Sequence, residues 1–418
     1  MERWRWLLRL FTRQLWLRPA LFCLFAVLLA LLGSWLTPFI PGEVETDLGA
    51  RSVDNILNLL ASSMLAVTTF SLSTMVQAYA SATSMITPRA VPLLIDDARS
   101  QNALSTFLGS FLFAIVGIIA LATGAYGATG RVILFAGTIL VILLIIITFL
   151  RWIAQIARFG RVNDTIQRIE KAALEAIGSA VSGIRFTGDP GSGAAPGPPP
   201  GADPVHTERI GRVTHVAFSD LSELAQEHGA RITVAAKVGA FVDPDRPLAW
   251  IEGGGEECRE AVVDAFTIAR ERAFDYDFRL GLIALAETGS RALSPATNDP
   301  GTAIAVVESG TRVLAALLKR ERGGEEREKL TGVEVPPYQF ADLLEDLIRP
   351  LARDGGQLVE LSIRIQKSLH SLCRLEPRAI ADCRAAAADA AGRAEALTES
   401  EADRKLLSEL HQRLWRAG

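Results

Sequence analysis

Cysteine is scarce in this chain: 418 residues contain four, at Cys23, Cys258, Cys373 and Cys383. They are scattered, and no two have metal-ligand spacing, so free thiols in a reducing compartment are expected. The five histidines, His206, His215, His228, His370 and His411, form neither His-Glu-x-x-His nor another metal pattern. Ser294 lacks the flanking glycines of a nucleophile elbow, and no Gly-x-x-x-x-Gly-Lys phosphate loop occurs. Hence no catalytic residue, metal ion or cofactor is expected. The formal net charge of −4 averages over unlike regions and gives no basis for a nucleic-acid partner. Charge is missing altogether from the long apolar runs. An ion-coupled pump keeps ionisable side chains near the bilayer midplane, so active transport is disfavoured.

The apolar runs themselves set the architecture. Leu104–Ala122 and Val132–Leu150 are each about 19 residues, enough to cross a bilayer core as helices. Only Thr123–Arg131 separates them, which makes a membrane hairpin. A mean hydropathy of +0.25 with 49% hydrophobic residues suits a membrane part joined to a soluble part. Residues 1–18 interleave Trp4, Trp6 and Trp16 with Arg3, Arg5, Arg9, Arg13 and Arg18, the pattern of an interfacial amphipathic helix. A membrane domain is expected over 19–155, with spans at about 19–40, 56–80, 104–126 and 132–153. A cleaved signal peptide is the competing reading of the first; against it stand the long basic region and the absence of an Ala-x-Ala site.

The second span is polar for a membrane helix. Ser62, Ala66, Thr69, Ser73, Gln77, Ala80 and Ser84 fall on one stripe at 100° per residue, with Leu60, Met64, Val67, Met75 and Ala78 roughly opposite. Small residues allow close helix packing. Alternatively, Ser62, Thr69, Ser73 and Gln77 line a hydrated pore. Arg151, Arg158, Arg161, Arg168 and Lys171 follow the fourth span, and Glu43, Glu45 and Asp47 lie in the first loop. The positive-inside rule then puts both termini in the cytoplasm of a multi-pass bacterial inner-membrane protein.

Beyond the spans, a juxtamembrane helix is expected at 156–185 and a disordered Gly/Pro linker at 186–204. A small β-rich module follows at 205–255, then a helical cytosolic domain at 256–418. Gly211–Phe218, Arg231–Ala235, Val238–Val242 and Leu248–Ile251 alternate as strands. Glu256–Ala273, Leu280–Arg291, Thr302–Arg320 and four later segments are periodic as helices. The fold class expected is thus an α-helical membrane domain of four transmembrane helices plus a cytosolic α+β domain, a barrel-sandwich-like module followed by a helical bundle. Val238–Ile251 resembles the hairpin of lipoyl-like modules, without a lysine at the tip, which implies a structural role.

A second resemblance spans nearly the whole chain. Pro88-Arg89, Asp97, Gln101 and Phe107-Leu-Gly-Ser-Phe111, then Arg272, Asp277, Gly281 and Arg291-Ala-Leu-Ser-Pro-Ala-Thr-Asn-Asp-Pro-Gly-Thr-Ala303, resemble the signature of an uncharacterised family of predicted bacterial membrane proteins. Ala273 and Thr288-Gly289 depart from that pattern. The resemblance implies spans, a linker and a cytosolic domain in this order, and no reaction. Within the last motif, Pro295 and Pro300 forbid a continuous helix. Asp299 can cap a helix starting near Thr302, and Arg291 can pair with a carboxylate such as Asp277. The corner is either structural or a small-ion site with Asn298, Asp299 and Thr302 as ligands. Three function classes stay open: an oligomeric passive pore for small ions with a regulatory cytosolic domain, a membrane-anchored scaffold or sensor, and a membrane enzyme.

Overall fold

A computed structural model describes residues 50–85, 87–95, 98–123, 128–156, 162–187, 198–323 and 330–416, with Ala20, Leu21, Leu24 and Leu28. The expected interfacial helix and most of the first span lie outside the described residues. The chain divides into two compact units. One comprises Arg3–Ser84 and Val91–Arg161; the other comprises Met85–Ala90 and Val162–Gly418.

In the first unit, α1 (Ala50–Met85) runs without a proline until Thr87-Pro88 ends it. A 3₁₀ turn at Pro88–Ala90 and the short α2 (Val91–Ile95) lead to α3 (Ala98–Ala122) and α4 (Ala128–Ile156). One cluster of side chains holds the three long helices: Val53, Leu57, Leu60 and Met64 of α1, Phe107, Phe113 and Ala114 of α3, and Leu134, Val141 and Trp152 of α4. Close approach depends on small residues of α3. A Cβ at Gly117 would stand 3.1 Å from Leu57, so α1 and α3 pack there nearly backbone to side chain. Ser105, Ser110 and Thr138 are buried, and each returns its hydroxyl to the carbonyl four residues earlier at 2.6–2.7 Å. Such bonds satisfy a hydroxyl without water.

Among the described residues, four helices are long and apolar enough to cross a membrane by length and composition. Three are α1, α3 and α4, where spans were expected. The fourth is α9 (Pro300–Gly323) of the second unit. There it buries Val306, Val307, Val313 and Leu314, and its Glu308 and Arg312 pair with Arg364 and Glu170.

The second unit begins with α5 (Val162–Gly178), expected as a juxtamembrane helix and found packed among the helices of this unit: Ile166, Ile169, Ala173 and Ile177 are buried. It packs against α8 (Phe278–Ala292) and α9. A Cβ at Gly281 of α8 would come within 2.5 Å of the Ala173 Cβ. The later helices of this unit are α10 (Phe340–Gly355), α11 (Val359–Leu375), α12 (Ile380–Leu397) and α13 (Glu401–Trp415). Gln366 of α11 is buried and holds α13 by accepting from the Trp415 indole at 2.8 Å.

The strands form small sheets. The strands β2 (Asp203–Val205), β6 (Ala249–Glu252), β4 (Arg231–Val234) and β8 (Val333–Glu334) lie in that order in one sheet. A second sheet has the order β5 (Phe241–Val242), β3 (Gly211–Val216), β7 (Phe266–Ala269). Helices α6 (Phe218–Glu227) and α7 (Glu256–Asp264) supply Leu221, Ala225, Cys258 and Val262 to a shared core with Val213, Ile232, Leu248 and Ile251. The Asp243–Pro247 turn does not close a paired hairpin, since β5 and β6 join different sheets. Nor is Glu256–Ala273 a single helix: α7 stops at Asp264 and the chain returns as β7 against β3. Residues 188–197 of the expected linker lie outside the described residues; of its ends, Asp203–Val205 forms β2. Ile184–Arg185 forms β1 beside β9 (Tyr338–Gln339), Phe186 is buried against Phe340, and the Thr187 amide donates to Asp382.

Candidate functional site

The polar stripe of α1 faces outward from its unit. Ser62, Thr69, Ser73 and Gln77, with Ala66 and Ala80, are exposed, whereas Leu60, Met64 and Ser71 on the opposite face are buried. Leu59, Leu65, Phe70, Leu72 and Val76 are also exposed and flank the stripe. Packing within this unit therefore uses small residues of α3, not the stripe. The Ser62 hydroxyl donates to Asn58 O at 3.0 Å and Thr69 to Leu65 O at 2.7 Å. Their donor hydrogens are thus occupied, and the outward side offers oxygen lone pairs. No charged residue occurs between Ile56 and Ala80.

Buried charge collects at the other candidate, the start of α8. Asp277 is 3% exposed and caps the helix through the Leu280 amide at 3.1 Å. The same carboxylate accepts a two-point contact from Arg272, at 2.6 and 2.8 Å. Gly239, at φ +88°, passes directly over this pair; a Cβ there would lie 2.7 Å from both partners. Arg212 donates to Gly239 O at 3.2 Å and sits over the Phe241 ring. Burial and the nearby Arg272 and Arg89 push its guanidinium below the usual arginine range. One turn of chain away, Lys237 donates to Pro337 O at 3.0 Å and stands 4.3 Å over the Tyr338 ring. Burial, helped by Arg279, lowers its ammonium to about 8. Further along α8, Glu287 accepts from the Thr87 hydroxyl at 2.6 Å and pairs with Arg89. Several positions that carried the resemblance thus bear on α8 at separate points: Arg272 on its Asp277 cap, Gly281 within it and Arg89 on its Glu287. These contacts could not be read from spacing, because the partners lie up to 198 residues apart.

The Asn-Asp-Pro corner is closed by its own hydrogen bonds. Asp299 accepts from the Thr302 amide at 3.0 Å and its hydroxyl at 2.6 Å, and these bonds hold its carboxyl below the usual range. Asn298 takes φ +45°, a left-handed conformation that asparagine tolerates. Ser294 O accepts from the amides of Thr297 and Asn298. Arg291 lies in the last turn of α8 and Asp277 at its cap, about 21 Å apart along the helix. Of the three residues expected as ion ligands, Asp299 and Thr302 are hydrogen-bonded to each other, and Asp277 lies at the far end of α8. No group of His, Cys, Asp and Glu able to hold a metal ion occurs among the described residues.

The spans and the charged helix corner thus define a helical membrane protein with an attached α+β unit. The chain belongs to the DUF2254 family of predicted membrane proteins, whose model matches residues 12–371. Among individual proteins it is similar to the uncharacterized proteins Mb1321c of Mycobacterium bovis and Rv1290c of Mycobacterium tuberculosis, each 30% identical over 145 residues. The matches cover 31% of this chain, and the chain spans 28% of the length of these curated relatives. No solved structure matches it.

Proposed function

We propose that this membrane protein is a passive ion pathway assembled from several copies, with the stripe of α1 turned toward a shared axis and the second unit as its regulatory part. One observation carries this reading: the uncharged polar stripe is exposed while the opposite face of α1 is buried in the unit. Hydroxyl and amide oxygens can replace part of an ion's water shell without holding the ion tightly, as conduction requires. A second reading, an anchored scaffold that conducts nothing, is favoured by the internal bonds of Ser62 and Thr69, which let the stripe meet lipid directly. Ion flux into liposomes separates the two. Thr69→Leu or Ser73→Leu should suppress flux by drying the path, whereas Met64→Leu, a volume-conserving change on the buried face, should leave it intact. The same protein weighed in detergent should exceed the mass of one chain. A monomer, or flux insensitive to the stripe, would leave the scaffold.

A further inference from the structure

The first unit contains a cavity of about 460 Å³ between α3 and α4, at the end of the hairpin where α3 begins and α4 finishes. Asn102 and Thr106 line it from α3; Thr148, Arg151, Trp152 and Gln155 line it from α4. The volume lies within the range of small-molecule sites, roughly 300–1,000 Å³. Its chemistry is graded. Trp152 is buried in contact with Phe107 and Phe149, giving an aromatic floor. Arg151 is exposed at the rim and forms no ion pair among the described residues. Position sharpens this: Arg151 directly follows the uncharged run Val132–Leu150, so its guanidinium stands where the apolar core of a bilayer gives way to headgroups.

We infer that this cavity is a binding site for a phosphate-bearing anion, seated on Arg151 and the surrounding hydroxyl and amide groups, and that its occupant is the headgroup of an anionic lipid. Guanidinium matches phosphate by paired hydrogen bonds, and basic pockets between membrane helices take anionic headgroups in this way. The aromatic floor suits the glycerol and first acyl carbons. The site lies on α3 and α4, not on the stripe of α1, and it stands whether or not the protein conducts.

The test uses the purified full chain in uncharged detergent. Thermal stability is titrated with phosphatidylglycerol, with phosphatidylcholine and with inorganic phosphate. Phosphatidylglycerol should stabilise at the lowest concentration, and Arg151→Gln should weaken that effect by roughly tenfold to a hundredfold. Arg131→Gln removes the same charge at the opposite end of α4 and should change nothing. If Arg151→Gln fails to fold, Ala154→Phe keeps the arginine and narrows the cavity, and it should produce the same loss. An effect of inorganic phosphate equal to that of the lipid, and equally dependent on Arg151, would uphold the anion site and reassign its occupant to a soluble phosphate. Equal stabilisation by both lipids, or by phosphatidylglycerol in wild type and Arg151→Gln alike, would overturn the inference.

Discussion

A single carboxylate, that of Asp277, both caps α8 and neutralises Arg272. Buried charges are costly to leave alone, more than a surface pair would suggest. Arg272→Leu should therefore cost about 3–5 kcal/mol, because it strands the Asp277 carboxylate. Adding Asp277→Asn removes that charge while its side-chain oxygen still accepts from the Leu280 amide. The double variant is expected to melt above Arg272→Leu in thermal unfolding of the purified protein. A double variant that melts lower would show that the cap, not the charge, dominates. At this scale the sequence was informative where partners are local: Asp299 and Thr302 are three residues apart, and the expected cap forms. It was silent where they are remote, as with Thr87 and Glu287 or Ser309 and Glu170.

Helices were legible at the scale of elements because the apolar runs are long and prolines mark their ends. The misses share a cause. Phe266–Ala269 and Ile184–Arg185 are short, four and two residues, and pair only with strands remote in the chain or beyond a helix, β3 and β9. The faces of α1 were legible as a pattern, but not which face packs inward. That was decided by α3, whose Gly117 admits Leu57. A similar close approach joins α8 to α5, and it is rigid: the atom facing Gly281 is the Cβ of Ala173, which has no rotamer to yield. Gly281→Ala would usually favour a helix by about 1 kcal/mol. Here the overlap should outweigh that preference and lower stability, with overpacking of about 1–3 kcal/mol. The denaturant midpoint reads the sign directly, and Ala173→Gly in the same chain should restore part of the loss. A stabilised Gly281→Ala would mean that the two helices can move apart freely.

Orientation in the membrane belongs to the whole molecule, and here the structure changes the weight of the sequence argument. The basic residues after α4 were counted together, yet Arg168 pairs with Asp164 and Lys171 with Glu175, and both sit on α5 inside the second unit. Charges within a folded domain count little toward topology; those within a short distance of a span count most. The orientation thus rests on Arg3, Arg5, Arg9, Arg13 and Arg18 at one end and Arg151, Arg158 and Arg161 at the other, against Glu43, Glu45 and Asp47 in the first loop. Both sets point the same way if four segments cross, so we propose that the two termini and the second unit are cytoplasmic. Thr46→Cys should react with an impermeant maleimide applied to intact spheroplasts. Glu399→Cys, exposed in the second unit, should react only after the membrane is opened. Among the described residues the native thiols interfere little, as Cys258, Cys373 and Cys383 are buried. The reverse pattern would invert the protein, and labelling of both positions from outside would require an even number of crossings between them.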